Sequence, residues 1–431
     1  MIAVGPVSGR QLGLAVDLGT TKIAGYLIDL NSGQALGADG RMNPQISHGE
    51  DIISRITGAV KSTTEASQLQ KLVVDAITEL ATELCAEVKA STEEIVEAVV
   101  VGNTAMHHLF LGLPVKQLAS SPFVAAINAA VDIRSRDLGI PIAAGAYVHL
   151  LPNIAGFVGA DHVAMLLATK TQWTAGAQLA IDIGTNTEVS LIAGDRITCA
   201  SCASGPAFEG GHIKDGMRAA SGAIERLRIE DGKIEYQTIE GVPAVGICGS
   251  GIFDALAQFY RHGIIDRHGR MQDDHPQVRT RKKQREFVLV SKQERNGRPP
   301  IVITQQDIRE LQLAKAAIQT GIQVLLKAND LSEDELSQVI IAGAFGSYID
   351  VASAITIGML PSLPLNRFRQ VGNAAGMGAK LALVSLSKRT EAQHIAAQAE
   401  YIELSTDPNF TEAFINASYL GSASPSDKSR G

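Results

Sequence analysis

Two segments of this chain are near copies of each other. Residues 12–29 read LGLAVDLGTTKIAGYLID and residues 177–194 read AQLAIDIGTNTEVSLIAG, 165 positions apart. In each, an apolar run ends at an aspartate, Asp17 or Asp182. A Gly-Thr turn follows, and a second apolar run resumes at once. The pattern predicts a β-hairpin whose tip meets something small and anionic. Glycine permits close backbone approach, and turn N–H groups and hydroxyls donate to phosphate oxygens. An aspartate at a strand end suits a magnesium ion or its waters. One such hairpin is a weak signal; two at matching places in a repeat, able to face each other across a cleft, are a much stronger one.

The repeat extends beyond the hairpins. Ile95 to Leu113 is answered by Leu336 to Leu360, each reading as a buried strand, a small-residue turn and a helix. Leu150 to Ala168 is answered by Gln370 to Val384, both Gly/Ala-studded helices. Small residues at helical spacing let two helices cross closely, so these read as a pair meeting between two lobes and letting them rotate. Three pairs in one order indicate duplication rather than coincidence.

The expected organisation is a short extension (residues 1–10), lobe I (11–172), lobe II (173–420) with a hairpin insertion near 279–303, and a polar, disordered tail (421–431). In lobe I a third strand lies near Gln34 to Met42, and His48 to Lys89 is helical by its apolar spacing. A net charge of −7 with 4% aromatic residues argues against nucleic acid as a partner. The N-terminus lacks the build of a signal peptide, and no segment reaches the roughly 18 uninterrupted apolar residues of a membrane span. A cytoplasmic location is expected.

Several residues carry competing readings. Cys199-x-x-Cys202 invites a metal or redox role, but without a second such pair the two read as small buried side chains. His107 and His108 suggest a ligand pair or a packing and capping role. Glu209, in GPAFEGG, is a candidate catalytic carboxylate or a solvated first-turn glutamate. Gly249-Ser250 opens a helix at a Gly-Ser-Gly turn that offers N–H groups to an anion or serves tight packing. Lys315 reaches the nucleotide or snorkels. The basic stretch 279–298 docks an acidic redox partner or is a solvated face.

Duplicated Asp-x-Gly-Thr hairpins, paired Gly/Ala helices and the turn from Ala342 to Ser347 resemble the actin, sugar-kinase and heat-shock-chaperone ATPase superfamily over about residues 11–390. The resemblance implies an α/β, duplicated ribonuclease-H-like fold of two lobes with a nucleotide cleft between them. It implies that Gly19, Thr20, Thr21 and Lys22 form one phosphate loop and Gly184, Thr185, Asn186 and Thr187 the other. Gly343, Ala344 and Phe345 would border adenine. Asp17 would hold magnesium through water, and Asp182 would hold magnesium or position the attacking water.

Eight motifs in order are similar to the ATP-dependent reductive activators of corrinoid proteins: GLAVDLGTTKIAGYLIDL, NPQISHGEDIISRI, VVVGNTAMHHLFLGL, LPNIAGFVGAD, AIDIGTNTE, GPAFEGG, GICGSGIFD and TQQDIRELQLAKAAI. This closer resemblance implies an ATPase that returns a Co(II) corrinoid protein to Co(I), using ATP and Mg2+. ATP binding would close the lobes into a form whose corrinoid partner favours electron entry. Many relatives carry an N-terminal [2Fe–2S] ferredoxin-like domain. Here the first hairpin begins about ten residues after Met1, so the cluster is expected on a missing domain or a ferredoxin-like partner. The alternatives are a small-molecule kinase, an activator of 2-hydroxyacyl-CoA dehydratases, or a nucleotide-gated binding protein. Oligomeric state, a homodimer included, stays open.

Overall fold

The computed structural model describes residues 10–343 and 345–421. The N-terminal extension up to residue 9, the tail from residue 422 and Ala344 lie outside the described residues.

The first sheet holds β1 (Leu12–Leu18), β2 (Lys22–Asp29), β3 (Ala35–Met42), β4 (Ile95–Gly102), β5 (Val131–Arg134) and β6 (Tyr147–Leu150), in the order β3-β2-β1-β4-β6-β5. β1 is antiparallel to β2 and parallel to β4, and β4 is parallel to β6. Along β1 successive side chains alternate between faces. Leu12, Leu14, Val16 and Leu18 enter a core shared with α2 (Thr63–Glu87), which follows α1 (Ile52–Lys61). The helical stretch anticipated over 48–89 is thus two helices, divided at Ser62, which caps α2 through the Glu65 N–H. Next come α3 (Thr104–Leu111), α4 (Ser135–Leu138) and α5 (Ala160–Thr169).

The second six-stranded sheet begins with β7 (Ala177–Ile183), β8 (Thr187–Ala193) and β9 (Arg196–Cys202). Two small sheets follow. One joins β10 (Ala223–Glu230), β11 (Lys233–Thr238) and β12 (Gly246–Ile247); the other joins β13 (Val278–Arg281), β14 (Gln284–Val290) and β15 (Ile301–Thr304). The insertion anticipated near 279–303 is this three-stranded sheet. β16 (Leu336–Ala342), β17 (Phe368–Gly372) and β18 (Ala399–Tyr401) complete the large sheet, ordered β17-β16-β7-β8-β9-β18. The helices of this half of the sequence are α6 (Gly249–Arg261), α7 (Gln305–Ala328), α8 (Val351–Thr356), α9 (Ala374–Val384), α10 (Leu386–Gln398) and α11 (Phe410–Ser418).

The order β9-β8-β7-β16-β17 repeats β3-β2-β1-β4-β6. The repeat is antiparallel at each hairpin and parallel at both crossovers. The duplication read from sequence is therefore a duplicated sheet topology.

Contacts divide the chain into two compact units. One runs through Trp173 and adds Asp195–Cys199 and Asn373–Tyr401; the other comprises Thr174–Gly194, Ala200–Gly372 and the chain from Ile402 on. Each unit has its own apolar core. The Gly/Ala helices α5 and α9 pack against each other within the first unit, although α9 lies in the stretch read as lobe II. A Cβ on Gly378 would strike the Ala164 carbonyl, so the close crossing depends on glycine there.

Candidate active site

In the first unit, Asp17 lies on the face of β1 opposite the core, as does Gly13, whose Cβ would sit 2.8 Å from Leu383 of α9. Alternation therefore aims Asp17 at the start of α9. There Asn373 caps the helix by accepting from the Gly376 N–H (2.8 Å), while its amide donates to Asp17 Oδ2 (2.8 Å) and reaches the Tyr26 hydroxyl (3.3 Å). Burial pushes the Asp17 carboxyl up to about 6, and the Asn373 hydrogen bond works against that rise. Desolvation of this kind disfavours the charged carboxylate unless a positive charge lies close to it.

The turn after β1 is gripped from behind. Asn43 Nδ2 donates to the Gly19 carbonyl (2.9 Å), Arg55 Nη2 to the Thr20 carbonyl (2.7 Å), and Asn103 Nδ2 to Thr20 Oγ1 (3.0 Å). Thr20 is buried and Lys22, at the start of β2, is exposed.

In the second unit the matching turn uses different chemistry. The Gly184 N–H donates to the Asn186 carbonyl (3.2 Å), closing the turn. Thr185 Oγ1 donates to Glu209 Oε1 (2.6 Å), the Ser204 hydroxyl lies 2.9 Å from Thr187 Oγ1, and Ser204 also reaches the Thr185 carbonyl (3.4 Å). Glu209 is thus neither wholly solvated nor isolated: it holds a threonine of the second turn. It sits at the end of a short 3-10 turn, Pro206–Glu209, entered from Gly205 at φ +71°.

Three further motifs converge in this unit. Gly343, at φ +93°, would place a Cβ 2.6 Å from Asp182 Oδ1, so the glycine lets the turn after β16 approach that aspartate. Phe345 stacks on Phe208, with centroids 5.5 Å apart and planes 5° off parallel, and Phe253 meets both edge-on. Gly249 opens α6 where a Cβ would collide with the Phe208 carbonyl and lie 2.9 Å from the Phe345 ring. Gly249, Phe208 and Phe345, read as separate signals, form one aromatic-backed corner, with Ser250 in the first turn of α6.

Other candidates resolve differently. Lys315 does not snorkel: it is fully buried, and Nζ donates to Tyr419 O (2.5 Å), Gln319 Oε1 (3.2 Å) and Gly358 O (3.4 Å). His107 and His108 are buried with Nδ1 atoms 3.4 Å apart. His108 Nε2 accepts from the Ala126 N–H (2.9 Å), which leaves Nδ1 to donate to the Thr104 carbonyl (2.7 Å). Burial holds His107 down to about 3, so it stays neutral. All four cysteines are buried free thiols, and burial pushes Cys202 well above the ordinary thiol range. Part of the basic stretch is spent internally, Arg279 on Glu286 and Arg285 on Asp273. Among the described residues no group of three or more His, Cys, Asp or Glu is placed to hold a metal ion, and no helix is long and apolar enough to cross a membrane.

Residues that sequence reading passed over are Asn43, Arg55, Ser204 and Asn373. Asn43 and Arg55 lay inside the NPQISHGEDIISRI motif, which carried resemblance but no assigned chemistry. Asn373 was visible only as an asparagine ahead of a helix.

A duplicated sheet of this order, with an Asp-x-Gly-Thr hairpin in each half, defines the ATPase class that includes actin and the sugar kinases. Model matches narrow this: the C-terminal domain of RACo, the ASKHA domain, matches residues 176–428, and the RACo middle region matches residues 12–173. The chain belongs to the RACo family. It is similar to the corrinoid activation enzyme RamQ of Eubacterium limosum, at 38% identity over 95% of this chain and 70% of that one. It is also similar to the [Co(II) methylated amine-specific corrinoid protein] reductase of Methanosarcina barkeri, at 25% identity over 94% of this chain and 76% of that one. The solved structure of a reductive activator for corrinoid, iron-sulfur protein superposes with a TM-score of 0.86 and 41% identity, covering 96% of this chain and 67% of that one.

Proposed function

We propose that this chain binds and hydrolyses Mg-ATP and uses it to drive the reduction of a Co(II) corrinoid protein to Co(I). The observation that carries the reading is the pair of aspartate-bearing turns at equivalent places in a duplicated sheet, in a chain whose relatives act on corrinoid proteins. Family membership favours this over the kinase and dehydratase-activator alternatives.

In this proposal Gly19, Thr20, Thr21 and Lys22, with Gly184, Thr185, Asn186 and Thr187, bind the phosphates through backbone N–H groups, hydroxyls and one ammonium. Asp17 or Asp182 would hold a magnesium ion through water, since magnesium needs only one or two carboxylates and completes its shell with water and phosphate oxygens. The ion would neutralise phosphate charge. Asp182 would hold that ion or position the attacking water, and Glu209 acts through Thr185 by fixing its hydroxyl. The corner of Gly249, Ser250, Phe208, Gly343 and Phe345 borders the adenosine. Positioning and charge neutralisation account for phosphoryl transfer with no covalent step from the protein.

Reduction of Co(II) needs one electron. The buried thiols do not fit a [2Fe–2S] cluster: among the described residues no three His, Cys, Asp or Glu side chains gather as ligands, and burial holds Cys202 away from the thiolate a cluster ligand must be. The proposed donor is a [2Fe–2S] centre outside these residues, on a ferredoxin-like domain or partner. ATP shifts the corrinoid protein toward reduction only through its unequal affinity for two states of the activator. The test is Mg-ATP turnover with and without a corrinoid protein and a reduced ferredoxin, with Co(I) followed by its absorbance. Absence of nucleotide binding and of corrinoid-stimulated turnover would discard the reading.

A further inference from the structure

Arg55 is fully buried in the first turn of α1, with every hydrogen bond going to a neutral acceptor. Nε donates to the Gly49 carbonyl (2.9 Å), Nη1 to Gln45 Oε1 (3.2 Å) with Met106 Sδ at 3.3 Å, and Nη2 to the Thr20 carbonyl (2.7 Å). A buried guanidinium without a bonded carboxylate is costly, and burial lowers Arg55 to about 10 even with the Asp51 charge acting in its favour. A buried arginine used only for packing would be cheaper as methionine. One of its bonds reaches the turn that follows β1.

The geometry of a trans peptide shows what that bond does. Within one peptide plane the C=O and the next N–H point in opposite directions. The Gly19 carbonyl is drawn toward Asn43 and the Thr20 carbonyl toward Arg55, so the N–H on the far side of each plane points away from the clamp. Asn103 fixes the Thr20 hydroxyl as well. Successive N–H groups aimed one way make an anion-binding concavity, and a buried positive charge behind it raises its potential.

We propose that Arg55 is the principal positioning residue of the first phosphate turn: with Asn43 it pins the Gly19 and Thr20 carbonyls and aims the opposite N–H groups at the triphosphate. The proposal rests on the reading that this turn binds ATP. Arg55 touches no reacting atom, and Arg55→Lys keeps the charge but cannot serve Gly49, Gln45 and Thr20 together.

The experiment uses the full chain, with thermal unfolding and equilibrium binding of a slowly hydrolysed ATP analogue in the presence of Mg2+. For Arg55→Met and Arg55→Lys the proposal expects binding at least about tenfold weaker, on the scale of a lost charge-assisted hydrogen bond. It also expects a smaller analogue-induced rise in melting temperature. A purely structural arginine would lower the melting temperature with and without analogue alike and leave that rise unchanged. Folded variants that bind within twofold of wild type overturn the proposal. If Arg55→Met does not fold, Arg55→Lys and Asn43→Ser carry the same comparison. Failure of wild type itself to bind the analogue would instead overturn the ATP reading.

Discussion

Replacing Asp17 by asparagine should make the nucleotide-free protein more stable while disabling it. The carboxyl rises from its ordinary 3.8 to about 6 in the folded chain, so the native state keeps its proton where the unfolded chain has lost it. The stability this group contributes is fully present below about pH 4 and is lost as pH rises through about 6, beyond which the ionised group is a net cost. At about 1.36 kcal/mol per pKa unit the cost is roughly 3 kcal/mol. Asp17 keeps some solvent contact, which reduces the figure to about 1–2 kcal/mol. Asparagine removes the charge, and its carbonyl still accepts the hydrogen bond from Asn373. Urea unfolding of wild type and Asp17→Asn without nucleotide should show the variant more stable by that amount at pH 8, with roughly half the gap at pH 5. Mg-ATP binding should weaken about tenfold or more. A variant equal to or less stable than wild type at pH 8, with the same pH profile, would refute the claim that burial makes the ionised Asp17 costly in the nucleotide-free protein.

Other perturbations give equally direct outcomes. Thr185→Val and Glu209→Gln should each lower ATP turnover about tenfold, and the double variant should be little worse than either, because the 2.6 Å hydrogen bond makes them one unit; additive losses would show that Glu209 acts independently of Thr185. Gly249→Ala should cost about 3 kcal/mol or more or prevent folding of its unit, since the new methyl meets the Phe208 carbonyl rather than a side chain that can swing away. Its circular dichroism melt is the check. Burial lowers the Lys315 ammonium to about 7 from 10.5, so the folded chain sheds a proton that the unfolded chain keeps. Stability should therefore rise between about pH 7 and pH 10, and Lys315→Met should flatten that rise.

The parts of this protein legible from sequence were those set by local pattern. Each hairpin announces itself by an apolar run ending at Asp17 or Asp182 and a glycine turn, because strand periodicity and φ/ψ freedom are properties of neighbouring residues. The duplication was legible for the same reason, since the strand-turn-helix units recur in the same order along the chain, while the strand order itself came from the structure. The division of the chain was less legible. Residues 373–401 join the first unit although they follow most of the second in sequence, a consequence of how α9 packs on α5 and the back of β1.

What only the tertiary structure decided is which distant side chains serve each turn. Arg55 lies 35 residues from Thr20 and Asn373 lies 356 residues from Asp17, and no periodicity links either pair. Lys315 could be read as reaching outward until the fold enclosed it among carbonyls from Gly358 and Tyr419. Local sequence determines where a turn forms and which residue types it offers. The direction of its N–H groups and the charge of its aspartate depend on desolvation and on donors that long-range packing delivers.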